Sequence, residues 1–157
     1  LTATVGINSG ANQINRARNI AWVGAIISFL VVGIISGIVS FYPELWLDNF
    51  QTNFLSKQSA ILYLMIVGPF YCFFAAGQTL YFASQGTGKI FYPVLVGVIR
   101  FLSVSIICYL AIKFSWSINS IFYAVSFGLG ITGIGLGLCM LGRGWKSEIN
   151  QKKTLNT

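Results

Sequence analysis

The sequence predicts an all-α integral membrane protein with four transmembrane helices. Three observations carry this expectation. Of 157 residues, 55% are hydrophobic and 8% are charged, where an ordinary soluble domain is about 25% charged. The few charges cut the chain into long uncharged stretches. Inside those stretches apolar residues do not alternate with polar ones. Mean hydropathy is +0.76. Thirteen charges cannot cover a water-facing surface of this size. The composition therefore argues against a soluble enzyme, a disordered regulator and a nucleic-acid binder.

Twenty-five uncharged residues separate Arg18 from Glu44, thirty-one separate Lys57 from Lys89, and twenty-nine separate Lys113 from Arg143. Between Lys89 and Lys113 only Arg100 interrupts. A helix needs about 20 mostly apolar residues to cross the hydrocarbon. Each stretch holds one such helix, and the expected spans are 20–42, 58–84, 91–112 and 118–141. A membrane barrel would show segments of roughly ten alternating residues. Ile26-Ile27-Ser28-Phe29-Leu30-Val31-Val32 does not alternate. Helices satisfy every backbone group locally in lipid.

Individual residues mark the span ends. Trp22, Trp46, Trp116 and Trp145 fall at or just beyond them, where amphipathic rings sit at headgroup depth. Pro43 ends the first span and Pro93 opens the third, where a missing N–H costs little. Pro69 follows Gly68 inside the second span and cannot bond the Met65 carbonyl. A kink or a locally opened helix is expected there, serving bundle geometry or the flexing of a moving helix. Gln85-Gly86-Thr87-Gly88-Lys89 lacks the phosphate-loop pattern and reads as a tight turn. The net charge of +7 reads as topology. With both ends inside, seven basic residues lie on the cytoplasmic side and two, Lys57 and Lys113, lie outside. That is the expected sign of the asymmetry.

Gly33 and Gly37 in the first span, and Gly133 and Gly137 in the last, have small-xxx-small spacing. Such spacing lets helix backbones approach closely, within one bundle or against another subunit. Arg100 lies near mid-depth of the third span. A charge there is costly and faces a bundle interior or a wet cavity. No Asp or Glu lies at a comparable depth. Its partner is expected to be a carbonyl, a hydroxyl such as Ser103, a lipid headgroup or a group on another segment. Gln78 and Tyr81 sit three apart and share a helix face. They either line an aqueous path or bond to neighbouring helices. Cys72, Cys108 and Cys139 lie in separate apolar runs, and there is no histidine. They read as packing residues, with no metal and no cofactor. With no paired carboxylate and no activated serine, the chain is not expected to be an enzyme.

Val5-Gly6-Ile7-Asn8-Ser9-Gly10-Ala11-Asn12, followed by Arg16-Ala17-Arg18, resembles the "VGQ-x-x-GA…A-R" segment of the multidrug and toxic compound extrusion (MATE) transporters. Phe82-Ala83-Ser84-Gln85-Gly86-Thr87-Gly88-Lys89, with Pro93 after it, resembles that family's glycine turn. Arg100 matches a basic position in the helix that follows. Gly130-Ile131-Thr132-Gly133-Ile134-Gly135 resembles its "G-[LV]-x-G" stretch in the last helix. Two departures accompany the match. Asn8 stands near the family's glutamine, and residues 58–84 hold no Asp or Glu where some branches carry a coupling carboxylate.

The resemblance implies spans nine to twelve of a twelve-helix transporter built from two six-helix lobes. Residues 1–19 would be the end of a preceding span and a cytoplasmic loop, 20–142 the four-span part of the C-terminal lobe, and 143–157 a cytoplasmic basic tail. The chain starts at Leu1 with no signal peptide, and it reads as a portion of a longer one that would not transport alone. The implied activity is secondary efflux of drugs or organic cations by sodium- or proton-coupled antiport across a bacterial inner membrane. The implied partners are cationic or amphipathic small molecules, membrane lipid and the N-terminal lobe of the same chain. Asn8, Pro69, Gln78, Tyr81 and Arg100 are the cavity or gating candidates. A flippase of lipid-linked oligosaccharides with the same fold is the alternative, as is a free-standing four-helix protein without transport activity.

Overall fold

Short connections force these apolar segments to fold back on one another. In the computed structural model, which describes residues 1–49 and 54–142 without the side chain of residue 55, the regular elements are all helical. They are α1 (Thr2–Gly10), α2 (Ile14–Phe41), α3 (Pro43–Leu47), α4 (Phe54–Val67), a 3₁₀ turn (Gly68–Phe70), α5 (Tyr71–Gly86), α6 (Phe91–Lys113) and α7 (Ile118–Leu141). Four helical stretches are long and apolar enough to cross a membrane: Ile14–Phe41, Ser56–Gly86, Phe91–Lys113 and Ile118–Leu141. The protein is an integral membrane protein. Trp145 and the basic tail lie outside the described residues.

The first long helix starts at Ile14, not at residue 20. Charge marks where hydrocarbon ends, whereas a helix continues while it has something to pack against. Ala17 and Ala21 are fully buried in the cluster that also holds Val5 of α1. Trp22 consequently sits two turns inside α2, half-buried beside Gly137. It does not mark a helix end.

Two helices end in the same way. At α1, the Asn12 N–H donates to the Ser9 carbonyl and the Gln13 N–H to the Asn8 carbonyl. At α6, the Ser115 N–H donates to Ile112 and the Trp116 N–H to Ala111. These paired bonds form a Schellman cap, which needs a left-handed residue. Asn12 has φ 63° and Ser115 has φ 52°.

Small residues make the interior. Every buried residue of α2 is Ala or Ser: Ala17, Ala21, Ala25, Ser36 and Ser40. In lipid such residues let backbones approach, because tails are as apolar as Leu and drive no helix pairing. The central helix is α5, which packs on α1, α2 and α7. A Cβ on Gly77 would lie 2.9 Å from the Thr132 carbonyl oxygen of α7. A Cβ on Gly6 would lie 2.9 Å from the Gly86 carbonyl oxygen. Residues 77 and 86 are nine apart, about half a turn out of phase at 3.6 residues per turn. α5 is thus clasped on opposite faces. Gly133 backs onto the Phe73 carbonyl, and Gly33 meets only the Cys72 Cβ at 3.4 Å. Gly37 has nothing within 4 Å among the described residues, so the close approach expected there is not made by them.

Side-chain pairs fix helix direction. Thr79 bonds Ser28 and Gly33 meets Cys72, so α2 and α5 are antiparallel. Ser126 bonds Ile66 and Ser84 bonds Met140, so α7 runs parallel to α4 and α5. Val96 meets Gly135 and Val104 meets Gly128, so α6 runs the other way. Arg16, Arg18 and Lys89 therefore gather at one end of the bundle. Glu44, Lys57 and Lys113 gather at the other, where Lys57 also pairs with Asp48 at 2.6 Å.

Candidate functional site

Two regions within the described spans each gather several polar side chains. The first is the interruption at Pro69. The expected opening is a 3₁₀ turn over Gly68–Phe70, since a proline has no N–H for the ladder and its ring crowds the preceding turn. Neighbouring helices tie down the backbone there. Ser40 of α2 donates to the Leu64 carbonyl at 3.0 Å and to its own-helix Ser36 carbonyl at 2.7 Å. Ser126 of α7 donates to the Ile66 carbonyl at 3.2 Å and to Phe122 at 3.0 Å. A hydroxyl has one hydrogen, so each is shared between two acceptors. The Tyr63 and Tyr71 hydroxyls, one on each side of the turn, meet at 2.9 Å.

The second region is a furrow. α5 and α6 both pack along α7 but have no comparable contact with each other. The gap between them is a cavity of about 470 Å³, floored by Thr132 and Leu136 of α7. Gln78 and Tyr81 line it from α5, and Pro93, Gly97 and Arg100 line it from α6. The spacing explains the convergence. Phe74, Gln78 and Tyr81 follow the i, i+4, i+7 rule on one helix, and Pro93, Gly97 and Arg100 do so on the other.

Arg100 lies between the two valine seats of α6. Val96 fits against Gly135 and Val104 against Gly128, four residues to either side. A Cβ on Gly128 would lie 3.5 Å from the Arg100 Cγ, so the arginine stem lies along α7. Its guanidinium carbon sits 5.1 Å from the ring centroid of Phe74 on α5. Among the described residues Arg100 makes no ion pair and no hydrogen bond, and the Gln78 amide and the Tyr81 hydroxyl make no hydrogen bond. The Ser103 hydroxyl does not bond Arg100. Thr132 donates to the Gly128 carbonyl at 2.9 Å.

Gln78, Tyr81 and Arg100 thus share one surface. Asn8 and Pro69 do not line it. The Asn8 amide donates to the Thr4 carbonyl at 2.8 Å within its own helix, and Pro69 is exposed at the 3₁₀ turn. Sequence reasoning missed Phe74, Gly97 and Thr132. Phe74 and Gly97 were legible as helix-face neighbours of Gln78 and Arg100. Thr132 had no such signal, because it comes from a third helix. Among the described residues no group of His, Cys, Asp or Glu could hold a metal ion.

Long apolar helices around an intramembrane polar furrow define a polytopic membrane protein. Its family follows from comparison with known proteins. Residues 1–110, most of the chain, match the MatE family, and the protein belongs to that family. MatE proteins are transporters and not enzymes. The match ends within α6, before the α7 floor of the furrow. No curated protein and no solved structure matches the chain.

Proposed function

We propose that this chain is the four-span C-terminal part of a MATE-like secondary antiporter that exports amphipathic or cationic compounds in exchange for sodium ions or protons. Family membership makes secondary transport its general function. The reading adds spans nine to twelve, both ends cytoplasmic, and a bacterial inner membrane. One observation carries it: Gln78, Tyr81 and Arg100 converge without hydrogen-bonding partners on a furrow of about 470 Å³. Polar groups at membrane depth are costly unless they serve a pathway or are paired. Alternating access would expose this furrow to each side in turn, as two lobes rock about a midplane site. The described spans hold no carboxylate, so the coupling ion would be held by the N-terminal lobe or through polar backbone.

The test is gradient-driven movement of a fluorescent dye in proteoliposomes of the protein purified from its native membranes. Sodium and proton gradients are imposed separately. We expect one of them to drive dye movement, and Arg100→Ala with Gln78→Ala to slow it about tenfold, a loss of about 1.4 kcal/mol. Movement at the unaltered rate in the double variant would remove the furrow from the transport route.

A further inference from the structure

We infer that the α5–α6 furrow binds the negatively charged head of an amphiphile, with Arg100 as its counter-ion and Gln78 and Tyr81 as hydrogen-bond donors. This rests on the reading of the furrow as a transport surface and narrows its substrate class. Four features converge on a negative ligand. The first is charge. The furrow has one cation, and the carboxylates among the described residues, Glu44 and Asp48, lie in the α3 region at the far end of the bundle from Lys89. The second is donor excess. A guanidinium brings five N–H donors and no acceptor, an amide two donors and one acceptor oxygen, and a phenol one donor and one acceptor oxygen, so donors outnumber acceptor oxygens. The third is presentation. The guanidinium carbon lies 5.1 Å over the Phe74 ring, which offers no oxygen acceptor, so the N–H donors remain for the bidentate geometry that carboxylate, sulfonate and phosphate oxygens match.

The fourth is an apolar flank. Val94, Val98 and Phe101 line the furrow beside Arg100. A second cavity of about 410 Å³ borders the furrow at Pro93, seven residues or about 10 Å of helix from Arg100. Such a furrow suits a charged head at Arg100 and a body that stays in apolar surroundings. An organic cation at this position would meet Arg100 with no compensating carboxylate among the described residues.

The experiment is a binding titration of the full polypeptide in phosphatidylcholine nanodiscs. The probes are 1-anilinonaphthalene-8-sulfonate, an aromatic anion, and rhodamine 6G, an aromatic cation. We expect saturable sulfonate binding that weakens about tenfold or more in Arg100→Gln, as loss of a charge-assisted contact requires. Arg100→Lys should retain part of it, and Gln78→Leu should weaken it about threefold. Lys57→Gln, at the opposite end, should leave it unchanged. Far-ultraviolet circular dichroism checks folding; if Arg100→Gln loses helicity, Arg100→Lys and Gln78→Leu decide. Adding phosphatidylglycerol separates two sources of the same chemistry. Competition makes a lipid phosphate the natural head, and its absence makes it a soluble amphiphile. Equal sulfonate affinity in Arg100→Gln, tighter binding of the cation, or no saturable sulfonate site would overturn the inference. Gradient-driven transport with unaltered sulfonate binding in Arg100→Gln sinks the inference alone. Sulfonate binding without any gradient-driven transport sinks the function alone.

Discussion

The interruption at Gly68–Pro69 and the furrow around Arg100 handle polarity inside a membrane in opposite ways. At the interruption, Ser40, Ser126, Tyr63 and Tyr71 bring hydroxyls, and every one of them is bonded. Hydroxyls from α2 and α7 cross to backbone carbonyls of α4. In the furrow, Gln78, Tyr81 and Arg100 bring larger polar heads, and none has a hydrogen-bonding partner among the described residues. Spare polarity in the first region is consumed by the fold. In the second it is left for something else. The difference separates polar residues that the fold consumes from those that it leaves unpaired, without reference to which look unusual in sequence. Pro69 looks unusual and lies in the tied-down region. Gln78 looks ordinary and lies in the open one.

Opposite signs of stability change would sharpen this contrast. The largest effect is expected at Arg100→Leu, which removes a charge without an ion pair from mid-span while keeping apolar contact over Gly128. It should stabilise the protein by about 2 kcal/mol, slightly under the insertion cost of a central arginine. Equilibrium unfolding in mixed micelles measures it. A destabilised Arg100→Leu would mean that the guanidinium is structural. Next comes the pair Ser40→Ala and Ser126→Ala, each expected to destabilise by about 1 kcal/mol as an α4 carbonyl loses its donor. Amide hydrogen exchange should rise in residues 64–72 for both variants. Neutral results would mean that the turn satisfies itself. The smallest effect is expected at Gln78→Leu, within about 0.5 kcal/mol of the parent, because no bond is lost. A large penalty there would place Gln78 with the structural group.

Much of this was legible in sequence, for reasons that differ by level. The spans are set by the hydrocarbon thickness, so uncharged runs locate them directly. The helix interruption is dictated by one atom, the missing proline N–H at Pro69. Gln78 and Tyr81 share a face by helix periodicity alone. Contacts between helices were not legible. Gly33-xxx-Gly37 advertises a packing stripe, yet the interior of α2 is lined by alanines and serines, and Gly37 meets nothing within 4 Å. Gly77 and Gly86 carry the tight approaches because α5 happens to be central, which no single-helix pattern reveals. The pairing of Arg100 with Phe74 likewise joins two helices that pack on a third.

The valine seats of α6 have a mechanical consequence. Val96 and Val104 dock at Gly135 and Gly128, and α6 has its substantial packing against α7 alone among the described residues. α1, α2, α5 and α7 interlock as a block. Among the described residues the furrow is therefore a slot with two walls in the block, α5 and α7, and a third, α6, joined to it along a single edge. Its width is set by how α6 sits on the line of those two valines. Arg100 belongs to α6, and Phe74 to the block. Their separation, 5.1 Å here, is a built-in gauge of how far the slot stands open.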